Sequence, residues 1–274
     1  MKRFLATLCI LVISSPLFGD EKEGGIIGTG VVGQITGLDE FEVSGMRFNL
    51  PQNIELNGVE RMDELRMGMT LVLQAAPDGN EWQATQIKRM PTLTGPKTGP
   101  GEVMGVQILG ELPDADFVTV DGFWSKSGVV ASHTSSSVAE TQMVNGVYDA
   151  TSRKVGLIRV KGNIPTDQSD GKLVTVFGEF QDGVLIVERF DTDLFVGVAP
   201  DLLLVEGYFS PPNDENEIAL NGVAYSTMEA ENDLDMTQRV RRCSLRGRTD
   251  FSLSELSEDE VATINSFCVS ASSL

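Results

Sequence analysis

Hydrophobic and polar residues alternate along four segments of the chain, each interrupted by a turn rich in Asp, Asn, Gly or Pro. Alternation with a period of two buries one face of a β-strand, and a turn that contains glycine reverses the chain at little steric cost. Each segment is therefore predicted to form a β-hairpin, and their recurrence predicts a series of small β modules. The four segments are 68–87, 114–134, 170–190 and 199–226.

Residues 20–90 are predicted to form the first module, in which residues 20–25 are a short flexible entry. Five short strands with one brief helical insertion are typical of a small OB-like barrel, and closure into a barrel removes exposed strand edges. We therefore expect an all-β fold of tandem OB-like β-barrel modules with a short C-terminal helix. The expected strands, the helical turn and the hairpin of the first module are 31–35, 42–49, 53–59, 60–67 and 69–89.

The rest of the chain divides into four further stretches. Residues 91–101 contain several Gly-Pro and Pro-Gly breaks and are predicted to be a linker or an irregular strand crossing. Residues 102–191 are predicted to hold one or two more modules, since an opening strand (Val103–Leu109) and the hairpin recur there while the pattern lacks the middle of the first unit. Residues 192–228 are predicted to form a further hairpin unit, and residues 229–274 a tail.

The tail is predicted to contain a short helix held by a disulfide bond. Ser257 and Glu260 have the spacing of a capping box, and apolar residues recur after them at helical intervals. Cys243 and Cys268 form an even pair, which in an oxidising compartment favours a disulfide that closes a loop of about 25 residues. Two free buried thiols remain the alternative.

The first nineteen residues have the pattern of a secretory signal peptide. A basic start, Met1–Arg3, precedes an apolar run that ends at Phe18, and Gly19 is a suitable residue before cleavage. A membrane anchor and a lipoprotein signal at Cys9 are the alternatives, but the apolar run is short for a bilayer and no second span follows. We therefore expect a periplasmic or extracellular protein that is not an integral membrane protein.

Three short motifs resemble those of the bacterial family catalogued as domain of unknown function 5666. They are Gly28–Gly33 in IIGTGVVGQITG, Ser44–Phe48 in SGMRF, and Leu65–Met69 in LRMGM. The resemblance covers residues 26–90 well and the later hairpins loosely. It implies tandem OB-like modules in an envelope or secreted protein, and it implies no catalytic residues.

Charge and motif spacing argue against several classes of function. The net charge is −19 and becomes −21 once Lys2 and Arg3 leave with the signal peptide, which disfavours nucleic acid as a partner. The GxGxxG string at Gly28–Gly33 lacks the preceding strand and following helix of a dinucleotide site. His133 is the only histidine, and the acidic clusters lack an EF-hand loop, although incidental calcium binding at a loop stays open. We predict no catalytic residue, cofactor or metal ligand.

Two sets of residues are candidates for binding. Trp82 and Trp124 lie in hairpins that look equivalent, where they could stack on a ligand or fill the ends of barrels. Arginine side chains suit carboxylate or phosphate recognition. Docking of the tail onto the acidic body of the same chain, or onto Glu229–Asp235 just upstream, is the favoured interpretation, and a partner site is the alternative. The candidate arginines are Arg239, Arg241, Arg242, Arg246 and Arg248.

The sequence favours an exported, non-enzymatic binding or scaffolding protein of the bacterial cell envelope that presents its modules to a protein or glycan partner. One alternative is an enzyme or enzyme subunit that acts on envelope polymers through paired carboxylates, which need a cleft between them. Another is a structural spacer or assembly subunit.

Overall fold

The computed structural model describes residues 28–79, 81–138, 142–165, 169–192, 194–195, 200–208, 217–220, 223–226, 239–245 and 256–269. These residues form two large mixed β-sheets, a separate two-stranded hairpin and one short α-helix, so the predicted all-β class is confirmed. The predicted signal peptide, residues 1–19, lies outside the described residues.

The strands fall into four consecutive units. Unit 1 contains β1 (Thr29–Gly37), β2 (Glu42–Val43), β3 (Met46–Arg47), β4 (Glu55–Asn57), β5 (Thr70–Asp78) and β6 (Glu81–Arg89), with a 3-10 turn at Met62–Glu64. Unit 2 contains β7 (Leu93–Gly99), β8 (Glu102–Val103), β9 (Val106–Leu109), β10 (Phe117–Ser125) and β11 (Gly128–Ser136).

The remaining two units follow in chain order. Unit 3 contains β12 (Gln142–Asp149), β13 (Lys154–Val155), β14 (Ile158–Lys161), β15 (Leu173–Gln181) and β16 (Val184–Asp191). Unit 4 contains β17 (Leu202–Gly207), β18 (Glu217–Leu220), β19 (Val223–Ser226), β20 (Val240–Leu245) and the helix α1 (Glu258–Ile264), which continues into a π-helical turn at Asn265–Val269.

Units 2 and 3 each pair their five strands in a closed ring. In unit 2 the order around the ring is β7–β8–β9–β11–β10 and back to β7, and in unit 3 it is β12–β13–β14–β16–β15 and back to β12. Every pairing in a ring is antiparallel except the one between its third and fifth strands. Closed rings leave no strand edge unpaired within the unit, which protects a small β module from pairing with other chains.

Unit 1 has the same strand order, but its third strand is interrupted. Asn49 forms a parallel bridge with Gln83, and β4 then resumes with Glu55 opposite Gln86. Between these two pairings the third strand advances from Asn49 to Glu55, whereas β6 advances only from Gln83 to Gln86. The third strand therefore has extra residues here, including Pro51, which we call the surplus stretch.

A glycine in the first strand of each ring leaves room for the turn between the second and third strands. A Cβ atom on Gly33 would lie 1.7 Å from Ser44 Oγ, and one on Gly95 would lie 2.3 Å from Met104 Sδ. Ser44 and Met104 occupy equivalent places in their tight turns, and both have positive φ, 53° and 51°. The repeated glycine therefore reflects close packing inside each unit.

The segment 91–101 differs from the predicted linker, because most of it forms β7, the first strand of unit 2. Leu93 is fully buried, and β7 pairs with both β10 and β12. Unit 2 is therefore complete, and Val103–Leu109, which the pattern presented as an opening strand, is the β8–β9 hairpin. One of the glycines that suggested a linker, Gly95, has a packing role in this strand, because its missing Cβ leaves space for the Met104 side chain.

The fourth predicted hairpin, 199–226, also differs from the structure. Its first strand, β17, pairs in parallel with β1 and antiparallel with β20. Its second part forms a hairpin of its own, β18–β19. Alternation predicted the strand β17 correctly, but its partners β1 and β20 lie far away along the chain.

Three apolar clusters hold the units together. One fills unit 1 and includes Ile264 and Phe267 of the C-terminal helical segment, and a second is shared by units 2 and 3. The third joins units 1, 3 and 4 through residues such as Val72, Leu173 and Val205. Since the C-terminal segment packs into the core of unit 1, the two ends of the described chain stabilise each other.

Candidate binding groove

A half-open groove lies on unit 1, with a volume of about 770 Å³. Its walls are the loop that follows β1, the β2–β3 hairpin with the start of the interrupted third strand, and the beginning of β6. Ser266 of the C-terminal helical segment completes the lining. The interruption of the third strand contributes directly, because Leu50, in the surplus stretch, is one of the lining residues.

The floor of the groove is apolar and consists largely of core side chains. Phe41, Met46 and Phe48 line it, yet each is at least nine-tenths buried. Trp82 also lines the groove, as a ligand-stacking residue would, but its ring packs edge-on against Phe267 with the centroids 4.8 Å apart. Trp82 therefore contributes to the core of unit 1 as well as to the groove.

The rim of the groove is charged and predominantly acidic. Asp39, Glu40 and Glu81 are exposed carboxylates, and Arg47 is the cation among the lining residues. The Arg47 side chain forms ion pairs with Glu40 and with Glu42, whose Oε1 lies 3.0 Å from Arg47 Nε. The hydrogen bond to Glu42 and the charge of Glu40 raise the pKa of Arg47 above its usual value. Its positive charge is thus already balanced within the protein.

The acidic residue at the other side of the rim is also held in place. Asn49 Nδ2 donates a hydrogen bond to Glu81 Oε2 over 2.6 Å. Asn49 is positioned by its bridge to Gln83, so the interrupted strand orients this part of the rim. No sequence pattern distinguished the rim residues, because acidic residues in predicted turns are abundant in this chain.

Two of the predicted partner-binding arginines bind their own chain. Glu206 in β17 is 1% exposed, and its Oε1 lies 3.1 Å from Arg239 Nε and 3.5 Å from Arg241 Nε. On its other oxygen, Glu206 accepts a hydrogen bond of 2.6 Å from Ser44 Oγ. Arg239 also donates to Gln34 Oε1. These contacts agree with the alternative that the tail docks onto the acidic body of the same chain.

The other candidate arginines are placed differently or not described. Arg242 is exposed, and its guanidinium donates a hydrogen bond to the backbone oxygen of Arg241. Arg246 and Arg248 lie outside the described residues. Of the three arginines that the structure describes, Arg239 and Arg241 pair with Glu206 and Arg242 is exposed.

Trp124 lies away from the groove, at the interface between units 2 and 3. Its Nε1 donates a hydrogen bond of 2.7 Å to the backbone oxygen of Asn145, and the indole occupies the space next to Gly146 and Gly156. A Cβ on Gly156 would come within 2.4 Å of the ring. Of the two predicted stacking residues, one lines the groove and the other connects units.

A second buried carboxylate, Asp121, lies between units 1 and 2. Its Oδ2 is 2.8 Å from Arg89 Nη2, and its Oδ1 accepts a hydrogen bond from the backbone N–H of Thr70. Burial raises the pKa of Asp121, although Arg89 and the Thr70 amide oppose that shift. His133 pairs with Asp121 across β10 and β11, and burial lowers the pKa of its imidazole.

The structure joins the two tail cysteines, in agreement with the predicted pairing. The Cys243 and Cys268 sulfur atoms lie at a bonded distance of 2.10 Å. The predicted capping box is also present, because the Ser257 and Glu260 side chains each accept from the other's backbone N–H. The disulfide connects β20 to the segment whose Phe267 fills the core of unit 1.

Within the described ranges, no group of three or more His, Cys, Asp or Glu side chains is arranged to hold a metal ion. In the same part of the chain, no helix has the length and apolar character needed to cross a membrane. Comparison with protein families, with curated proteins and with solved structures found no match to this chain.

Proposed function

We propose that this protein is an exported, non-enzymatic binding or scaffolding protein of the bacterial cell envelope, whose tandem OB-like modules present the groove of unit 1 to a protein or glycan partner. The observation that carries the proposal is that the carboxylates of the groove are exposed and already interact with neighbouring side chains. They are exposed on the rim, and Glu40 and Glu81 already interact with Arg47 and Asn49.

The order of strands supports the OB-like assignment. Each ring runs first–second–third–fifth–fourth strand, with one parallel pair between the third and the fifth. OB-folds bind their ligands on the face of the second and third strands and in the flanking loops. The groove occupies the corresponding place in unit 1, and the motifs that resemble the domain of unknown function 5666 family lie in the same unit.

The carboxylates also favour binding over catalysis. A glycosidase needs a carboxylic acid whose pKa is raised by its surroundings and a second carboxylate across a cleft. Three carboxylates are buried among the described residues, and none of them lines the groove. Asp121 and Glu206 face arginines at interfaces between units, and Glu260 forms the capping box of α1 with Ser257. The position of the buried carboxylates outside the groove supports binding over the enzyme alternative.

Export is supported by the composition of the first nineteen residues and by the paired cysteines. Disulfides persist in oxidising compartments such as the bacterial periplasm. The acidic net charge of −19 disfavours nucleic acid and is compatible with an envelope location.

A crosslinking pull-down from the native envelope, with residues 20–274 as bait, tests the proposal. The bait is used as wild type, as a groove variant (Glu40→Gln with Glu81→Gln) and as a control (Asp78→Asn with Asp182→Asn). The control removes the same charge from exposed hairpin positions that do not line the groove. We expect one saturable partner that the groove variant loses and the control retains.

Two results would contradict the proposal. One is the absence of any saturable partner. The other is turnover in a broad hydrolase screen that disappears in the groove variant, since that result would make the groove an active site.

The intact mass of the exported protein checks cleavage after Gly19 and the loss of two hydrogens at the disulfide.

A further inference from the structure

We infer that the groove of unit 1 accepts a peptide segment in which lysine or arginine alternates with apolar side chains. This inference rests on the proposed function and specifies its partner as a protein. The acidic rim favours a cationic ligand, and the burial of most of the aromatic floor favours a peptide over a sugar.

Among the groove-lining residues that the structure describes, carboxylates outnumber cations. Asp39, Glu40 and Glu81 line the groove together with one guanidinium, that of Arg47, which is already paired with Glu40 and Glu42. An ammonium or guanidinium group entering between Asp39, Glu40 and Glu81 would meet net attraction at close range. An anionic ligand, such as an acidic glycan or a phosphate, would meet repulsion in the same place.

The apolar part of the groove fits side chains better than sugar rings. Stacking on a sugar needs an exposed aromatic face, but Phe41 is 7% and Phe48 is 5% exposed, and the half-buried Trp82 makes a T-shaped contact with Phe267. Leu38, in contrast, is 43% exposed at the rim. Aliphatic contact beside acidic groups is therefore available at Leu38, whereas the aromatic surface of the groove is limited to the half-buried Trp82.

The size of the groove is consistent with a short segment. Ligand sites in proteins commonly have volumes of about 300–1,000 Å³, and the groove's 770 Å³ falls within that range. Apolar side chains of the segment would contact Leu38 and the floor, and the long stems of lysine or arginine would carry the charge outward to the rim.

Isothermal titration calorimetry on residues 20–274 tests the inference with defined probes. The first probe is a short capped peptide of leucine and lysine separated by glycine. The others are the same peptide with glutamate for lysine, tetralysine, and a chitosan tetrasaccharide that carries amines on a sugar backbone. We expect saturable binding of the leucine–lysine peptide, weaker binding of tetralysine, and no binding of the glutamate peptide.

Variants locate the binding. Glu40→Gln with Glu81→Gln should raise the dissociation constant about 10-fold, because two exposed rim charges are lost. Leu38→Ser should raise it by about 3-fold through lost apolar contact. The control Asp78→Asn with Asp182→Asn should stay within about 2-fold of wild type, and equal melting temperatures show that the variants are folded.

Each contrary result has a definite meaning. If the control weakens binding as much as the groove variant, the peptide is attracted by the overall acidic charge and the inference is wrong. If the chitosan tetrasaccharide binds more tightly than the peptide, the occupant is a glycan. If no probe binds while the envelope pull-down still yields a partner that the groove variant loses, the inference fails and the proposed function stands. If that partner is also absent, both fail.

Discussion

A glycine in the first strand of a ring leaves a gap at two interfaces, the one between units 1 and 4 and the one between units 2 and 3. A polar group fills the first gap and an apolar group fills the second. In the first, Gly33 admits Ser44, whose hydroxyl reaches the buried carboxylate of Glu206. In the second, Gly146 faces Gly156, and the indole of Trp124 from the neighbouring unit fills the gap. A small first-strand residue is thus the common requirement, while the group that fills the space determines whether the interface is polar or apolar.

The two solutions differ in energetic character. Apolar burial of a large aromatic ring is favourable in itself and tolerates small displacements. A buried ion pair loses solvation and is favourable only if its partners are well placed, so that removing one partner has a large effect. The polar interface is additionally covalently constrained, because Cys243 in β20 is bonded to Cys268.

The largest expected effect is at the apolar interface. Trp124→Ala should lower the free energy of unfolding by about 3–5 kcal/mol, because it leaves a cavity beside two glycines and removes the hydrogen bond to Asn145. Urea denaturation followed by circular dichroism measures the change. Trp124→Phe should lose less, and a loss below about 1 kcal/mol for the alanine variant would show that the ring does not support the interface.

Removing the disulfide should have the next largest effect. Cys243→Ser with Cys268→Ser opens a loop of 25 residues, which corresponds to about 3 kcal/mol in the chain-entropy description. Thermal unfolding with and without reductant provides the measurement, and the double variant should no longer respond to reductant. An unchanged melting temperature would mean that packing of Phe267 alone holds the tail.

The polar interface should be most sensitive to loss of its carboxylate charge. Glu206→Gln leaves Arg239 and Arg241 without their anion and should cost about 2–3 kcal/mol, less than for a fully buried pair because Arg239 is partly exposed. Urea denaturation measures this loss. Glu206→Met combined with Arg241→Met should recover part of the stability, since it removes the anion together with its more buried partner and leaves only the more exposed Arg239. If the double variant is less stable than Glu206→Gln, the interface does not behave as a buried ion pair.

The sequence predicted what depends on local pattern. Alternation identified three hairpins and the strand β17, and the Ser257–Glu260 spacing predicted the capped helix, because neighbours along the chain determine these features. It missed β7, whose Gly95 and Pro96 are turn residues by composition. Gly95 is there because Met104 packs against it, which is a contact that no local pattern reveals.

The groove was predictable only in part. Trp82 was a candidate from its place in a hairpin, and the structure puts it in the groove. The rim depends on the interruption between Asn49 and Glu55, which changes the register of the third strand against β6. The pairing of β17 with β1 joins residues more than 170 positions apart, so the partner of Glu206 could be suggested only as self-docking of the arginines.

A double-mutant cycle at the shared gap tests the comparison directly. Gly33→Ala should destabilise unit 1 by about 1–3 kcal/mol, because the new methyl group would overlap Ser44 Oγ. Adding Ser44→Gly makes unit 1 resemble unit 3 and should restore part of the loss, giving a coupling above about 0.5 kcal/mol by urea denaturation. Gly99→Ala is the control, since its nearest neighbour is the flexible end of Glu102. Strict additivity would show that the gap is not shared between the two residues.

The smallest effect concerns His133, at the interface between units 1 and 2. Burial lowers the pKa of His133 below its ordinary value of 6.5, although the charge of Asp121 opposes the shift. The unfolded chain therefore binds a proton in a range where the folded protein does not, so stability falls as the pH drops through 6.5 toward the lowered value. Asp121 has a raised pKa and the opposite slope, since its contribution decreases as the pH rises above 3.8.

His133→Gln isolates the histidine contribution because Asp121 remains. Between about pH 7.5 and pH 5.5 the wild type should lose more stability than the variant, by less than about 1 kcal/mol since the imidazole is only partly buried. As the only histidine of the chain, His133 can be titrated directly by proton NMR. A pKa above 6.5 would mean that attraction to Asp121 outweighs burial, and this interface would then gain stability on acidification, as a charged interface should and an apolar one should not.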